Sequence, residues 1–118
     1  MATPTISQAI EEFMNFCDIL DDAYWEASSI SHKDLLYDII SIFSHEIAEL
    51  NKLSVQDHHY PYEIITEGIR RVELKLDSLD QQKNEVIQRT RTQMDIRDVI
   101  SNVMTIIEDQ NGSISDFK

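Results

Sequence analysis

The sequence predicts an all-α fold, either a four-helix antiparallel bundle or a related helical array, with no sheet. Two observations lead to this prediction. The 118 residues include only two glycines and two prolines, whereas sandwiches, barrels and doubly wound sheets need many tight turns built from those residues. Apolar residues also recur every three or four positions over long stretches, which is the spacing of an amphipathic helix rather than of a strand.

The first predicted helix covers about residues 5–27. Thr5 and Gln8 have the spacing of a capping box, and Pro4 is compatible with a helix start. The serine-rich residues 28–31 interrupt the helical pattern, so we expect the helix to end there. The apolar positions fall on one side of this helix: Ile6, Ile10, Phe13, Cys17, Leu20 and Tyr24.

The second predicted helix covers about residues 32–53, with Ser31 and Asp34 spaced as a second capping box. Its apolar residues cover almost half of the helix circumference, which predicts deep burial. Glu46 falls within this apolar arc. We expect the stem of Glu46 to cover the core or its carboxylate to pair with a basic residue of the third helix.

The third and fourth helices are predicted over about residues 61–90 and 95–110. Pro61 suits the first turn of the third helix. The apolar side of the fourth helix is rotated far from that of the third, and one straight helix cannot bury both sides in the same core. We therefore expect the chain to turn near residues 91–95.

The predicted domain is a single helical unit over residues 1–112, followed by a short tail over residues 113–118. Asn111 and Gly112 are typical of a helix C-terminus. Beyond position 79 the third helix is only half apolar on its buried side. A homodimer that covers this side is therefore a further possibility.

The net charge of −12 is unevenly distributed. Residues 1–60 hold eleven acidic and two basic residues, a net charge of −9, and residues 61–118 hold eleven acidic and eight basic residues, a net charge of −3. Nucleic acids and anionic membranes are bound through basic surfaces, so direct binding to either is disfavoured. We expect the basic residues between positions 70 and 97 to pair with the acidic residues of the first two helices.

The expected compartment is the cytoplasm. No apolar stretch is long enough to span a bilayer, and the first residues lack the basic and apolar regions of a secretory signal. Cys17, the one cysteine, fits a reducing environment and is expected to be a structural thiol.

The first helix carries six acidic residues and no basic residue between positions 11 and 26. Glu11, Asp18 and Asp22 fall together on the side opposite the apolar positions, with Trp25 at the edge of that side. Asp18 and Asp22 repel each other at this spacing, and a basic partner would relieve the repulsion. We predict that this face, together with Glu26, binds a protein partner and that Trp25 anchors the contact. The alternative is a solvated face with Trp25 packed against a neighbouring helix.

A second candidate contact lies in the loop before the third helix, at Tyr60, Pro61 and Tyr62. Tyrosines held by a proline offer a large contact area at low entropic cost. These three residues are similar to the Tyr-Tyr-Pro segment that helical immunity proteins of nuclease bacteriocins carry at the start of a helix. The alternative is that both tyrosines close the end of the bundle.

No catalytic, cofactor or metal site is predicted. His45 lacks a second histidine four residues later, because that position is Glu49, so the zinc-protease pattern is incomplete. Glu46 and Glu49 are similar to the Glu-x-x-Glu motif with which all-helical nucleotide pyrophosphatases hold Mg²⁺. The Glu-x-x-Asp that those enzymes carry on a later helix is absent, and Asp77 with Asp80 comes nearest.

The function predicted from these features is that of a small, acidic, non-enzymatic binding protein. It would neutralise a basic protein that acts on nucleic acid, as an inhibitor, immunity protein, antitoxin or DNA mimic does, because such proteins present cationic clefts. The first alternative is an adaptor or chaperone of a secretion or assembly system. The second is a Mg²⁺-dependent nucleotide pyrophosphohydrolase.

Overall fold

The computed structural model describes residues 4–53, 55–86 and 90–115, and it describes only the backbone of residues 55, 83–86, 90–91 and 109–115. Within these ranges the chain forms α-helices and a short 3-10 helix, and the one sheet-like contact is a single antiparallel bridge between Thr5 and Pro61. The all-α prediction is confirmed. The helices are α1 (Ile6–Glu26), α2 (Ile30–Asn51), the 3-10 helix (Val55–His59), α3 (Glu67–Arg70), α4 (Glu73–Val86) and α5 (Thr90–Ser115).

The four long helices surround one apolar core. Helix α1 packs against α2 and α5, and α4 packs against the same two helices from the other side. Phe43 of α2 contacts the rings of Phe13 and Phe16 edge to face, with ring centroids 5.1 and 5.2 Å apart. Helices α1 and α5 run antiparallel, since Glu26 bonds Thr92 while Glu12 bonds Asn102.

The start of α1 has the predicted cap. The Thr5 hydroxyl accepts from the Gln8 backbone N–H at 3.2 Å, and the Gln8 side chain accepts from the Thr5 N–H at 2.9 Å. The start of α2 differs from the prediction, because Ser29 rather than Ser31 is the cap and accepts from the His32 N–H. Helix α2 therefore begins two residues earlier than expected.

The buried side of α1 is rotated from the predicted one. Ile6, Phe13 and Leu20 are buried as expected, but Phe16 is also fully buried, while Cys17 is only half-buried. The apolar spacing alone favoured the side that faces α2. Because α5 packs on the other flank of α1, the centre of the buried arc moves toward Phe16.

Residues 61–66 are not helical, which corrects the predicted start of the third helix. Pro61 belongs to a short extended segment, in which the Tyr62 N–H donates to the Pro4 carbonyl at 2.8 Å. The N–H groups of Ile65 and Thr66 donate to the side chain of Glu46. These donors are thus held by partners in the N-terminal segment and in α2, and α3 begins only after Thr66.

The third and fourth predicted helices have different limits in the structure. A turn at residues 71–72 separates α3 from α4, and α5 begins at Thr90 rather than at 95. The predicted turn at 91–95 is therefore wrong, because these residues belong to α5, and residues 87–89 lie outside the described part of the chain. Helix α5 also continues past Gly112 to Ser115, so the predicted C-terminus at 111–112 is wrong as well. Of the predicted tail, residues 116–118 lie outside the described residues.

Candidate partner-binding surface

The side of α1 that faces away from the core combines carboxylates with two exposed apolar side chains. Glu11, Asp18 and Asp22 are all exposed, as predicted from their position opposite the core. Trp25 has 74% of its surface exposed and Met14 52%. A helix advances 100° per residue, which places all five on one side. We call these five residues the α1 outer face.

The carboxylates of the α1 outer face have no basic partner within the described part of the chain. Ion pairs found there include those of Lys52 with Glu49, Arg71 with Glu67, Lys75 with Asp38 and Arg97 with Asp98. Of these, only the Lys75–Asp38 contact at 3.3 Å follows the predicted pairing across the bundle. Glu11, Asp18 and Asp22 take part in none of these ion pairs, and the cation found against the α1 outer face, Lys33, lies beside the Trp25 ring rather than beside these carboxylates.

Trp25 lies on the surface, 74% exposed, and its described contact with another helix is with Lys33 of α2. Its ring meets Tyr24 edge to face, with ring centroids 5.5 Å apart. The Lys33 ammonium lies 5.8 Å from the centre of the Trp25 ring and 4.4 Å from that of Tyr24. It also donates to the Tyr24 carbonyl at 2.6 Å, so Lys33 closes the C-terminal end of α1.

Glu26 differs from the other acidic residues of α1 that were predicted to bind a partner. It is half-buried, and its carboxylate accepts from the Thr92 hydroxyl at 3.2 Å. Glu26 therefore connects α1 to α5, in addition to lying beside Trp25 in sequence. Its role in a partner contact stays a prediction.

The two tyrosines of the predicted loop contact lie in different environments. Tyr60 is 63% exposed, at the end of the bundle where α1 begins. Tyr62 is 1% exposed, and its ring packs edge to face on Phe13 with centroids 5.4 Å apart. Tyr62 is a core residue and offers no contact surface, which corrects its placement in the predicted binding set. Tyr60 and Trp25 lie near opposite ends of α1 and so do not form one compact patch.

Glu46 is the one charged side chain that the described core buries completely. One of its oxygens, Oε2, accepts from the Tyr62 hydroxyl at 2.7 Å and from the Ile65 N–H at 3.0 Å. The other, Oε1, accepts from the Thr66 N–H at 2.9 Å. Burial raises the pKa of Tyr62, and the hydrogen bond to Glu46 raises it further. Both oxygens of Glu46 are thus used to fix residues 62–66 on α2.

The residues that were considered for metal or thiol chemistry, Glu49 and Cys17, take part in local contacts within the fold. Glu49 is paired with Lys52 at 2.6 Å, and this bond lowers the pKa of its carboxyl. Among the described residues, no group of three or more histidine, cysteine, aspartate or glutamate side chains could hold a metal ion. Burial raises the pKa of the Cys17 thiol to about 11, which keeps the thiol protonated near neutral pH.

Two open grooves reach the surface beside α1. The α1–α5 groove, of about 680 Å³, is lined by Pro4, Gln8, Glu11, Glu12, Met14, Asn15, Asp18 and Ile106. The end groove, of about 460 Å³, is lined by Ile6, Leu50, Leu53, Tyr60, Pro61, Glu63 and Ile65. The first is bordered by acidic residues of the α1 outer face, and the second is mainly apolar.

None of the helices described has the length and hydropathy required to cross a bilayer. Comparison with protein-family models, with curated protein sequences and with solved structures finds no match for this chain. The site must therefore be interpreted from its own geometry and charge.

Proposed function

We propose that this protein is a non-enzymatic binding protein whose α1 outer face contacts a basic protein partner. The observation that carries the proposal is the coexistence of exposed carboxylates with an exposed tryptophan on one helix side. Interfaces are enriched in tryptophan and methionine at their centre and have a polar rim. Charged rims increase the rate of association with an oppositely charged partner.

The class of partner favoured by this charge is a protein that acts on nucleic acid. Such proteins have cationic surfaces for phosphate groups, and a chain of net charge −12 is attracted to them over long distances. The chain would then act as an inhibitor, immunity protein, antitoxin or DNA mimic. The outer face has no role in the core, so its charge is available for this purpose.

The test is to change the charge of the α1 outer face without changing its shape. Glu11→Gln, Asp18→Asn and Asp22→Asn are combined in one variant. The matched control combines Asp77→Asn, Asp95→Asn and Glu108→Gln, exposed residues of α4 and α5, so both variants lose three negative charges. Each is used as bait in cells of the native host, and captured partners are identified by mass spectrometry and then measured by stopped-flow association.

We expect the α1 variant to associate at least about tenfold more slowly than wild type at low salt, and the control to change little. Trp25→Ala should instead increase the dissociation rate, with a loss of about 2 kcal/mol or more for an interface anchor. If both triple variants slow association equally, only the total charge matters and the α1 outer face is not the contact. If neither changes association, the acidic residues serve only solubility.

A second candidate function is an adaptor or chaperone, and the end groove is the observation that favours it. Tyr60 and Ile65, two large apolar residues of this groove, are 63% and 45% exposed. Binding there would depend on apolar contact and change little with salt. Tyr60→Ser would weaken such binding, whereas it would leave a contact through the α1 outer face unchanged.

A further inference from the structure

We infer that the α1–α5 groove receives an amphipathic helix of the partner, with lysines or arginines on one side and apolar residues on the other. This inference rests on the proposed function and adds the shape and chemistry of the segment that is bound. It follows from three features of the groove, which are its position between two helices, its charge and its exposed apolar side chain.

The shape of the groove suits a helix. It follows α1 from Gln8 to Asp18, and Ile106 is the one residue of α5 that lines it. Ten residues of helix span about 15 Å, which matches a partner helix of three turns. Grooves between packed helices commonly receive a third helix through apolar residues spaced three or four positions apart.

The charge of the groove selects the occupant. Glu11, Glu12 and Asp18 border it, and no basic residue is found among the side chains that line it. A second copy of this chain would bring a net charge of −12 to the same place, and nucleic acid or an anionic membrane would be repelled in the same way. A cationic protein segment is the occupant that this charge attracts.

The apolar side chains of the α1–α5 groove indicate that its occupant must present apolar residues as well as positive charge. Met14 borders the groove with about half of its surface exposed, and methionine adapts its shape to different partners. Ile106 is partly buried against the core, and its remaining surface faces the groove. A partner that covers Met14 must present an apolar residue between its basic ones.

The probe for this inference is a pair of labelled synthetic peptides of twelve residues. The first has lysines on one helical side and leucines on the other, and the second has glutamine in place of each leucine. Binding to the full chain is measured by fluorescence anisotropy over a range of salt concentrations. We expect the leucine peptide to bind at least about tenfold more tightly than the glutamine peptide, because only the former buries apolar surface.

Two matched pairs of variants locate the binding site. Met14→Ser removes the apolar side chain from the groove, and Met94→Ser removes an equally exposed methionine, 51% against 52%, from α5. Asn15→Lys places a positive charge in the groove, and Asn51→Lys makes the same substitution at an exposed position of α2. We expect the first variant of each pair to weaken binding of the leucine peptide at least about fivefold more than the second.

The outcomes separate this inference from the proposed function. If the two peptides bind equally and the affinity falls steeply with salt, attraction to a basic partner stands and the groove inference is overturned. The groove inference is also overturned if the members of each variant pair behave alike. If neither peptide binds even at low salt, both the groove and the acidic contact fail. Circular dichroism melting verifies that each variant remains folded, as expected for exposed positions.

Discussion

The hydrogen bond from Tyr62 to Glu46 gives the sharpest prediction about stability. Tyr62→Phe keeps the ring against Phe13 and removes only the hydroxyl, whose bond to Glu46 Oε2 is 2.7 Å long. A hydrogen bond to a charged group contributes about 1.5–3 kcal/mol. For a chain of this length, roughly 4 °C of melting temperature corresponds to 1 kcal/mol. We therefore expect the melting temperature to fall by roughly 6–12 °C.

The matched control is Tyr60→Phe, which removes the hydroxyl of a residue that is 63% exposed. Water can replace whatever that hydroxyl bonds, so the change should stay within about 0.5 kcal/mol. Chemical denaturation of both variants measures the difference directly. Equal stabilities for Tyr62→Phe and Tyr60→Phe would refute the assignment of Glu46 as the acceptor that holds this segment.

A double-mutant cycle with Glu46→Gln tests the same bond from the other side. An amide nitrogen in place of one carboxylate oxygen cannot accept, so at least one of the donors from Tyr62, Ile65 and Thr66 loses its partner. We expect Glu46→Gln to cost about 2–4 kcal/mol and to be coupled to Tyr62→Phe by about 1 kcal/mol or more. Additive effects would mean that the two side chains do not interact in solution.

Three further predictions concern pH, thiol reactivity and packing. Burial and the bond to Glu46 raise the pKa of Tyr62 above 10.0, so the unfolded chain releases the hydroxyl proton at lower pH than the folded chain. The free energy of unfolding should therefore fall above about pH 10, by up to about 1.4 kcal/mol per pH unit. Tyr62→Phe should remove that part of the slope in denaturation curves between pH 9 and 11. With a pKa raised from 9.0 to about 11, Cys17 should have roughly a hundredfold less thiolate than a free cysteine. A thiol-specific disulfide reagent should therefore react with Cys17 much faster in denaturant than in the folded protein. Equal rates in the two conditions would contradict the burial of the thiol. At Gly68 an added methyl group would lie 3.4 Å from the Ile42 side chain, which is an ordinary contact. Gly68→Ala should therefore raise the free energy of unfolding by about 0.5–1 kcal/mol. A lower melting temperature for this variant would show that the methyl group does not fit.

The parts of the fold that depend on local sequence were predictable. The capping box of Thr5 and Gln8 needs residues three positions apart, and the apolar spacing of α5 from Ile96 to Ile107 identifies side chains that are all buried. Asn111 and Gly112 do not end α5, which continues to Ser115. A glycine ends a helix through a left-handed conformation, and no described glycine has a positive φ angle.

The parts that depend on distant residues were not predictable. The extended conformation of residues 61–66 is fixed by the carbonyl of Pro4 and the carboxylate of Glu46, and neither partner is close in sequence. In the sequence, the position of Glu46 within an apolar arc indicates that its side chain lies near the core. Helical periodicity does not identify the groups that donate hydrogen bonds to its carboxylate. The exposure of Trp25 agrees with its position away from the apolar side of α1, while the burial of Tyr62 required knowledge of where the loop packs.

The way in which Glu46 holds residues 62–66 has a consequence for how the sequence can diverge. Two of its three donors are backbone N–H groups, those of Ile65 and Thr66, which every amino acid except proline supplies. This hydrogen bond therefore places no constraint on the side chain at position 65 other than the exclusion of proline. Positions 46 and 62 carry the complementary pair, so an acid lost at 46 leaves a buried hydroxyl without its acceptor. We expect a homologue that carries phenylalanine at position 62 to keep an acceptor at position 46, because the N–H groups of Ile65 and Thr66 still require one.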